Sequence, residues 1–322
     1  MTAKENYRHY FNKEAYGWMP SDLDLRFFHP EEFPDYVCRG FVHQEEPFPA
    51  EKFGGTGWFN VQWFYDPKQR GAIDLGHVIP DIEDWRQLKF PDLDAYDWEG
   101  IAKKNAAYLS HDKVPATTIY TGLFERLIAV LDFEDAAVAL IDPDQQEDVK
   151  DFFEALTDFY IDYIRRFQKY FGLQHLTFHD DWGTQDTVII SPETHREMIL
   201  PYVKKIVDAC HEMGIVYEQH SCGYILSLLP QLFEAGADLW QGQSIPGLKE
   251  KAKAQYPEFH HELDLRDLPY EAGETPEEAA EVAFRALQPY AGKGYYLAAR
   301  DFRLSREAST RLHSRIMEEG FC

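Results

Sequence analysis

The chain has 322 residues, of which 44% are hydrophobic and 15% aromatic, so it has ample material for a large core. Its 32 basic and 56 acidic residues leave a net charge of −24, which excludes the basic footprint required by nucleic acid or an anionic membrane surface. No run approaches the roughly 18 apolar residues of a membrane span, and the first residues lack the apolar core of a signal peptide, so we expect a cytoplasmic protein.

Residues 1–110 are rich in aromatic residues, proline and glycine and show little helical periodicity. The segment 58–65 has the composition of a strand, and the glycine cluster at 54–57 precedes it. That cluster lacks the lysine and the serine or threonine of a phosphate loop, and no helical pattern follows it, so the sequence favours a hairpin turn. Residues 82–98 are acidic and indicate a surface connector.

From Val114 onward, strand and helix patterns alternate. The patterns predict strands at 114–121, 173–181, 216–223, 237–241, 259–265 and 294–299, and helices at 125–140, 145–171, 191–213, 225–235, 248–255, 275–290 and 305–319. Such alternation predicts a parallel sheet built from right-handed crossovers. If the N-terminal region supplies the missing strands, the count reaches the eight of a closed barrel.

The sequence therefore predicts an α/β fold, a TIM-like (β/α)8 barrel that forms a single domain with an aromatic-rich N-terminal extension. Residues 1–110 would hold this extension and the first barrel elements, and residues 111–322 the βα units. An open doubly wound sheet is the alternative, but the sequence carries no dinucleotide or phosphate-loop fingerprint.

Functional groups in a barrel gather at the carboxyl ends of the strands. Polar, acidic and aromatic residues recur at these ends, and this recurrence favours an enzyme. The candidate substrate-binding residues are Tyr120, Trp182, Gln185, Trp240, Gln243 and Asp264.

The predicted strand 216–223 ends in two residue types that bind metal ions. Side chains alternate along a strand, so Glu218, His220 and Cys222 should share one face. Imidazole and thiolate are ligands that zinc prefers, and a carboxylate is an acceptable third ligand. The alternative is a strand end with a hydrogen-bonded histidine and a small buried cysteine.

Asp180 and Asp181 stand at the end of the preceding predicted strand. As catalytic residues, they would bind a cation, hold a substrate proton or orient a histidine ligand of a metal. Alternatively, one of them caps the amide groups of a loop. Trp182 forms either a pocket wall or part of the core.

Several short segments resemble the uroporphyrinogen decarboxylase superfamily, and within it the zinc-dependent methyltransferases linked to corrinoid proteins. The resemblance covers roughly residues 80–300 and implies a TIM-like barrel. The matching segments are 122–126 (Gly-Leu-Phe-Glu-Arg), 180–185 (Asp-Asp-Trp-Gly-Thr-Gln), 190–193 (Ile-Ser-Pro-Glu), Pro201, 218–223 (Glu-Gln-His-Ser-Cys-Gly) and 236–238 (Gly-Ala-Asp).

In the methyltransferase branch, the resemblance implies that a His-x-Cys pair and a later cysteine hold zinc. His220 and Cys222 match the pair, but the later position falls near 299–301, where this chain has no cysteine. The resemblance thus leaves Glu218 or Asp301 as the remaining ligand, or a site that has lost its metal.

The implied reaction moves a methyl group between a small substrate, such as a methyl ether, and a corrinoid protein or a thiol. A partner protein would supply the corrinoid. The N-terminal aromatic residues, among them Trp58 and Trp63, would line a substrate pocket, or else belong to the core or to a homodimer interface.

Two alternatives stay open at this point. The first is a metal-free decarboxylase acting through Asp180 or Asp181. However, the decarboxylase branch holds substrate carboxylates with an N-terminal arginine pair of the form Arg-x-x-x-Arg, which this chain lacks. The second is a non-catalytic barrel that binds a ligand or a protein partner.

Overall fold

The structure is a computed structural model and describes residues 1–68, 71–271, 273–301 and 303–322. Its helices are α1 Ala3–Phe11, α2 Pro34–Arg39, α3 Trp98–Lys104, α4 Ala106–Leu109, α5 Leu123–Val130, α6 Phe133–Ala139, α7 Gln146–Phe171, α8 Pro192–Met198, α9 Leu200–Glu212, α10 Leu229–Glu234, α11 Leu248–Gln255, α12 Pro276–Leu287 and α13 Arg306–Glu318. Its strands are β1 Leu25–Phe27, β2 Gly55–Thr56, β3 Gln62–Asp66, β4 Gly71–Asp74, β5 Val114–Ile119, β6 His175–His179, β7 Val216–Ser221, β8 Leu239–Gly242, β9 His260–Asp264 and β10 Tyr295–Ala298. Among these described segments we find no helix with the length and apolarity that crossing a membrane would require.

The alternation predicted after residue 114 is confirmed, but two predicted helices are each interrupted once. The helix predicted at 125–140 divides into α5 and α6, because Asp132 caps α6 by accepting a hydrogen bond from the Asp135 amide at 2.8 Å. At the end of α5, the Val130 carbonyl accepts hydrogen bonds from the amides of Val78 and Ile79 instead of from a continuing helix.

The helix predicted at 191–213 divides into α8 and α9 at Ile199. Pro201 explains the break, because proline has no amide hydrogen and its ring clashes with the preceding turn of a continuous helix. The predicted start is confirmed: Ser191 accepts from the Thr194 amide at 3.1 Å, and Pro192 occupies the first helical position.

The glycine cluster at 54–57 belongs to a hairpin, as predicted. Strands β2, β3 and β4 form a small antiparallel sheet, in which Gly55 pairs with Trp63. The predicted strand at 58–65 is shifted, because Trp58–Asn60 forms a 3-10 turn and β3 begins only at Gln62.

The chain divides into two compact units. The central unit comprises residues 27–111 and 115–237, and the terminal unit comprises residues 1–26, 112–114 and 238–322. In the central unit, β5, β6 and β7 are neighbouring parallel strands. In the terminal unit, β8, β9 and β10 are neighbouring parallel strands, and α12 and α13 contribute Phe284, Leu312 and Ile316 to a hydrophobic core.

The 26-residue helix α7 organises the core of the central unit. Its buried side chains recur every three or four residues and meet the N-terminal aromatic residues. Trp58 is 7% exposed, and its ring lies edge-on to Phe159 and Tyr163 at 5.4 and 5.2 Å. Phe59 is 2% exposed. These aromatic residues therefore belong to the core rather than to a substrate pocket.

A buried ion pair lies within this aromatic core. The Arg126 guanidinium donates to the Asp35 carboxylate, and both side chains are almost inaccessible to solvent. Asp35 also accepts from the Trp58 amide at 2.7 Å, and the Arg126 guanidinium lies 4.8 Å from the centre of the Phe59 ring. The pair thus ties α2, the turn at Trp58 and α5 together.

Asp35→Leu should lower the free energy of unfolding by about 3–5 kcal/mol, because it leaves Arg126 buried without a counter-charge. The double variant Asp35→Leu with Arg126→Met removes both charges and should be more stable than the single variant. Urea unfolding followed by circular dichroism measures both. A double variant no more stable than Asp35→Leu would contradict this account.

His195 in α8 is a second buried titratable group. Its ring is fully buried against Trp182 at 4.5 Å, and its Nδ1 lies 2.8 Å from Gln231 Oε1. Burial lowers the pKa of His195 to about 4, so the folded state holds the imidazole neutral.

Since an unfolded histidine titrates near 6.5, this residue stabilises the fold fully above about pH 6.5, and the contribution is lost as pH falls towards 4. The free energy of unfolding should fall by about 3 kcal/mol at most from this cause. Urea unfolding of wild type and His195→Gln between pH 7.5 and 4.5 tests this, with a shallower decline expected for the variant. Parallel declines would rule out His195 as the cause.

Candidate metal centre

The register between β6 and β7 brings two histidines together at the carboxyl ends of these strands. His179 pairs with His220, and their rings stack at 4.3 Å with an interplanar angle of 15°. One layer below, Thr177 pairs with Glu218. Glu218 and His220 therefore share one face of β7, as the alternation of side chains predicts.

Three side chains form a group able to hold a metal ion. One ligand atom from each of His179, Asp181 and His220 lies within 4.8 Å of the other two. The Nε2 of His220 is 3.5 Å from Asp181 Oδ1. All three residues are partly exposed, so the group is open to a ligand from solvent.

Cys222 adjoins this group through His220. Its Sγ lies 3.3 Å from the His220 Nε2, so the imidazole and the sulfur are on the same side of the backbone. The Cys222 amide donates to Asp181 Oδ1 at 2.7 Å, and this bond orients the carboxylate. The site thus combines two imidazoles, one carboxylate and one thiol.

Glu125 supports the centre from α5. Its Oε2 lies 2.8 Å from His179 Nδ1, which leaves Nε2 as the nitrogen available to a metal. Burial alone would lower the pKa of His179, but the charge and hydrogen bond of Glu125 outweigh burial, and the pKa is raised. Sequence reasoning missed both residues, although His179 directly precedes Asp180 and Glu125 lies in the segment 122–126.

The other two predicted ligands are engaged elsewhere. Glu218 accepts from Thr177 Oγ1 at 2.7 Å and lies 3.3 Å from His175 Nε2. Burial would raise the pKa of Glu218, but the hydrogen bond and charge of His175 lower it. Among the described donors, Glu218 is not part of the three-residue group.

Asp301, in the terminal unit, is neutralised by its own neighbours. It accepts from Arg303 Nη2 at 2.5 Å and from the Tyr270 hydroxyl at 2.7 Å. As ligands of a metal, Glu218 and Asp301 stay predictions from the sequence.

The adjacent residues Asp180 and Asp181 have different environments. Asp180 is fully buried and accepts from the amides of Leu123, Phe124 and Glu125 at 2.8–3.2 Å and from Trp182 Nε1 at 3.0 Å. It therefore satisfies the first amides of α5, which is the capping alternative.

Burial, followed by the charge of Glu125, raises the pKa of Asp180 to about 7, although its four donors favour the carboxylate. A glycine is required at position 122, because a Cβ there would lie 2.6 Å from the Asp180 Cβ.

The loops that follow β6 and β7 touch at two glycines. A Cβ on Gly223, which has a φ of +84°, would lie 2.2 Å from the carbonyl carbon of Gly183. The Tyr224 amide donates to the Thr184 carbonyl at 2.7 Å. This close approach of two backbones fixes the loops that carry Asp181 and Cys222.

The predicted substrate-binding residues are divided between the two units. In the central unit, Tyr120 stacks on Phe41 at 4.1 Å and lies 6.2 Å from the His179 ring. Trp182 is fully buried, which is the core alternative, and Gln185 is exposed in the loop.

In the terminal unit, Trp240 is 4% exposed and Gln243 is half-buried. Asp264 is buried and pairs with Arg266 at 2.5 Å and Lys249 at 3.3 Å, so it lies in an ion-pair network. The roles of all six residues in binding stay predictions.

Comparison with known proteins identifies the family of this chain. The family model for uroporphyrinogen decarboxylase matches residues 68–264, well over half of the chain. The chain belongs to the uroporphyrinogen decarboxylase family. A comparison with curated protein sequences gives no match.

Two solved structures are similar to this member of the uroporphyrinogen decarboxylase family. A methyltransferase from Methanosarcina mazei aligns with a TM-score of 0.63 at 13% identity, covering 99% of each chain. A xylose isomerase-like TIM barrel protein from Mycobacterium smegmatis, in complex with magnesium, aligns with a TM-score of 0.39 at 11% identity, covering 94% of this chain and 96% of that one. The second score is too low to carry an argument. The family match confirms the predicted superfamily. The similarity to the methyltransferase structure confirms the predicted α/β fold of the TIM-barrel type.

The left-handed conformation alone costs a residue with a Cβ about 1–2 kcal/mol. Gly223→Ala should lower the free energy of unfolding by clearly more than this, because the new Cβ meets the Gly183 backbone. Gly214→Ala is the matched control: Gly214 has a φ of +69°, and nothing lies within 4 Å of its added Cβ. Chemical unfolding measures the difference between the two. Equal losses would show that the contact with Gly183 has no energetic role.

Proposed function

We propose that this member of the uroporphyrinogen decarboxylase family is a zinc-dependent methyltransferase of a corrinoid system. It would move a methyl group between a small substrate, such as a methyl ether, and a corrinoid protein or a thiol. The observation that carries the proposal is the mixed donor set of His179, Asp181, His220 and Cys222 where β6 and β7 end.

The chemistry of these donors fits zinc. Imidazole and thiolate ligands favour zinc over magnesium and calcium, which prefer oxygen ligands alone. Catalytic zinc sites use three protein ligands and leave the fourth position for water or substrate. The partial exposure of His179, Asp181 and His220 agrees with that arrangement.

When bound, zinc would supply Lewis acidity, polarising an ether oxygen or lowering the pKa of a thiol acceptor. Glu125 accepts a hydrogen bond from His179 Nδ1, which orients the ring and leaves Nε2 as the nitrogen that would bind the metal. The Cys222 amide fixes the orientation of Asp181. The stacked rings of Phe41 and Tyr120 provide an apolar wall for the substrate.

The methyltransferase from Methanosarcina mazei agrees with this proposal, although at 13% identity the likeness supports the fold rather than the reaction. We assign the corrinoid to a separate partner protein, as the resemblance to the corrinoid-linked methyltransferases implies. Metal-free decarboxylation through Asp180 is disfavoured, since its carboxylate is fully buried and accepts four hydrogen bonds.

Purified protein should contain about one zinc ion per chain. His179→Ala, His220→Ala and Cys222→Ala should each lower zinc affinity at least roughly a hundredfold, because each removes a direct ligand. Competition with a chromogenic chelator measures the affinity. Glu218→Gln and Asp301→Asn are matched controls, since both carboxylates are engaged elsewhere, and each should change affinity by less than about tenfold.

Activity is a separate readout. Zinc-loaded protein incubated with cob(I)alamin and a panel of methoxylated aromatic compounds should form methylcobalamin, which absorbance detects, and His220→Ala should not. Wild-type protein without zinc, or a loss of zinc in Glu218→Gln as large as in His179→Ala, would contradict the metal assignment. Zinc binding without methyl transfer to any corrinoid or thiol acceptor would contradict the proposed reaction.

A further inference from the structure

The terminal unit has a pocket of about 270 Å³ at the amino ends of β9 and β10. Three lysines from separate segments line it: Lys13 after α1, Lys253 in α11 and Lys293 before β10. Asp264 and Asp301 lie at or beyond the opposite ends of β9 and β10, so the pocket lies at the other end of these strands from those two carboxylates.

These lysines differ from the paired lysines of the chain. Lys104, Lys205 and Lys249 each form ion pairs with carboxylates. By contrast, within the described residues no carboxylate lies within 4.0 Å of the Lys13, Lys253 or Lys293 ammonium group. The Lys13 ammonium donates to the Glu258 carbonyl at 3.5 Å. Three such cations around one pocket are unexpected in a chain with 56 acidic residues.

Tyrosine rings hold two of these lysines in place. The Lys253 Nζ lies 5.0 Å from the centre of the Tyr295 ring, and the Lys293 Nζ lies 5.7 Å from that of Tyr290. The two rings pack edge to face at 5.8 Å. Burial lowers the pKa of Lys253, which indicates that this ammonium group has lost part of its hydration. An anion would restore favourable interactions to these cations.

The pocket also has an aromatic wall. Tyr10, Phe259 and His260 line it, and the Tyr10 and His260 rings lie 4.4 Å apart. Burial lowers the pKa of His260 to about 4, so the ring is neutral at pH 7. Within the described residues, its Nε2 is buried and has no hydrogen-bond partner.

Two carboxylates also line the pocket, Glu14 and Glu258. The Glu14 carboxylate lies 3.6 Å from His9 Nε2. Three lysines against two glutamates leave the pocket a formal charge of +1, while the whole chain carries −24. A volume of about 270 Å³ is at the lower limit for small-molecule sites and accommodates one ring with one anionic group.

We propose that this pocket binds a small organic phosphate, whose phosphate meets Lys13, Lys253 and Lys293 and whose ring lies against Tyr10, Phe259 and His260. Lysine ammonium groups act as point charges for phosphate and do not require the planar geometry of a carboxylate. The site is independent of the proposed methyl transfer, since it uses none of the metal-binding residues.

Calorimetric titrations of the full chain at low ionic strength test the proposal. The probes are phenyl phosphate, which has both parts, inorganic phosphate, phenol and benzoate. Phenyl phosphate should bind at least tenfold more tightly than each of the other three, and added salt should weaken its binding. Binding of phenol or benzoate as tight as that of phenyl phosphate would overturn the phosphate assignment, and no binding of phenyl phosphate would overturn the site.

The triple variant Lys13→Gln, Lys253→Gln, Lys293→Gln should bind phenyl phosphate with an affinity at least tenfold lower than that of the wild type. A variant with Lys52, Lys89 and Lys103 changed to Gln is the matched control, because it changes the net charge equally at exposed positions that do not line the pocket. Equal losses in both triple variants would mean that only the net charge matters, and would overturn the proposal. Neither measurement depends on zinc or methyl transfer.

Discussion

The parallel pairing of β6 with β7 is the constraint on which the candidate centre depends. His179 stands beside His220 and Thr177 beside Glu218 because the register fixes both pairs. A slip of β7 by one residue would turn Glu218 and His220 to the other face of the sheet, away from Thr177 and His179. The lower layer is closed, since Thr177 and His175 satisfy Glu218. The upper layer is open, and there nitrogen, oxygen and sulfur donors meet.

Hydrogen bonds and close packing also fix the backbone around the candidate metal centre. Asp180 satisfies three amides of α5, so the strand that presents His179 also fixes the helix that presents Glu125. The contact of Gly183 with Gly223 leaves no space for a side chain. The two adjacent aspartates therefore have separate environments: Asp180 is buried beneath the first amides of α5, while Asp181 is part of the open group, and their catalytic roles stay predictions.

The terminal unit shows how carboxylates at strand ends are neutralised without a metal. Asp264 and Asp301 each accept a hydrogen bond from the backbone amide of the arginine two residues later, and each forms an ion pair with that same guanidinium. The repeated Asp-x-Arg spacing, at 264–266 and 301–303, was visible in the sequence. Two carboxylates that resemble ligands or substrate contacts in the sequence thus have partners within their own turns.

The sequence by itself determined the order of strands and helices after residue 114, the hairpin at 54–57 and the common face of Glu218 and His220, because each depends on local periodicity, capping or turn chemistry. Only the tertiary structure decided that His179 joins His220, that Asp180 caps α5 and that Trp58 and Phe59 pack beneath α7. These contacts join segments far apart in the chain, and a local pattern does not specify which distant strand or helix a side chain will meet.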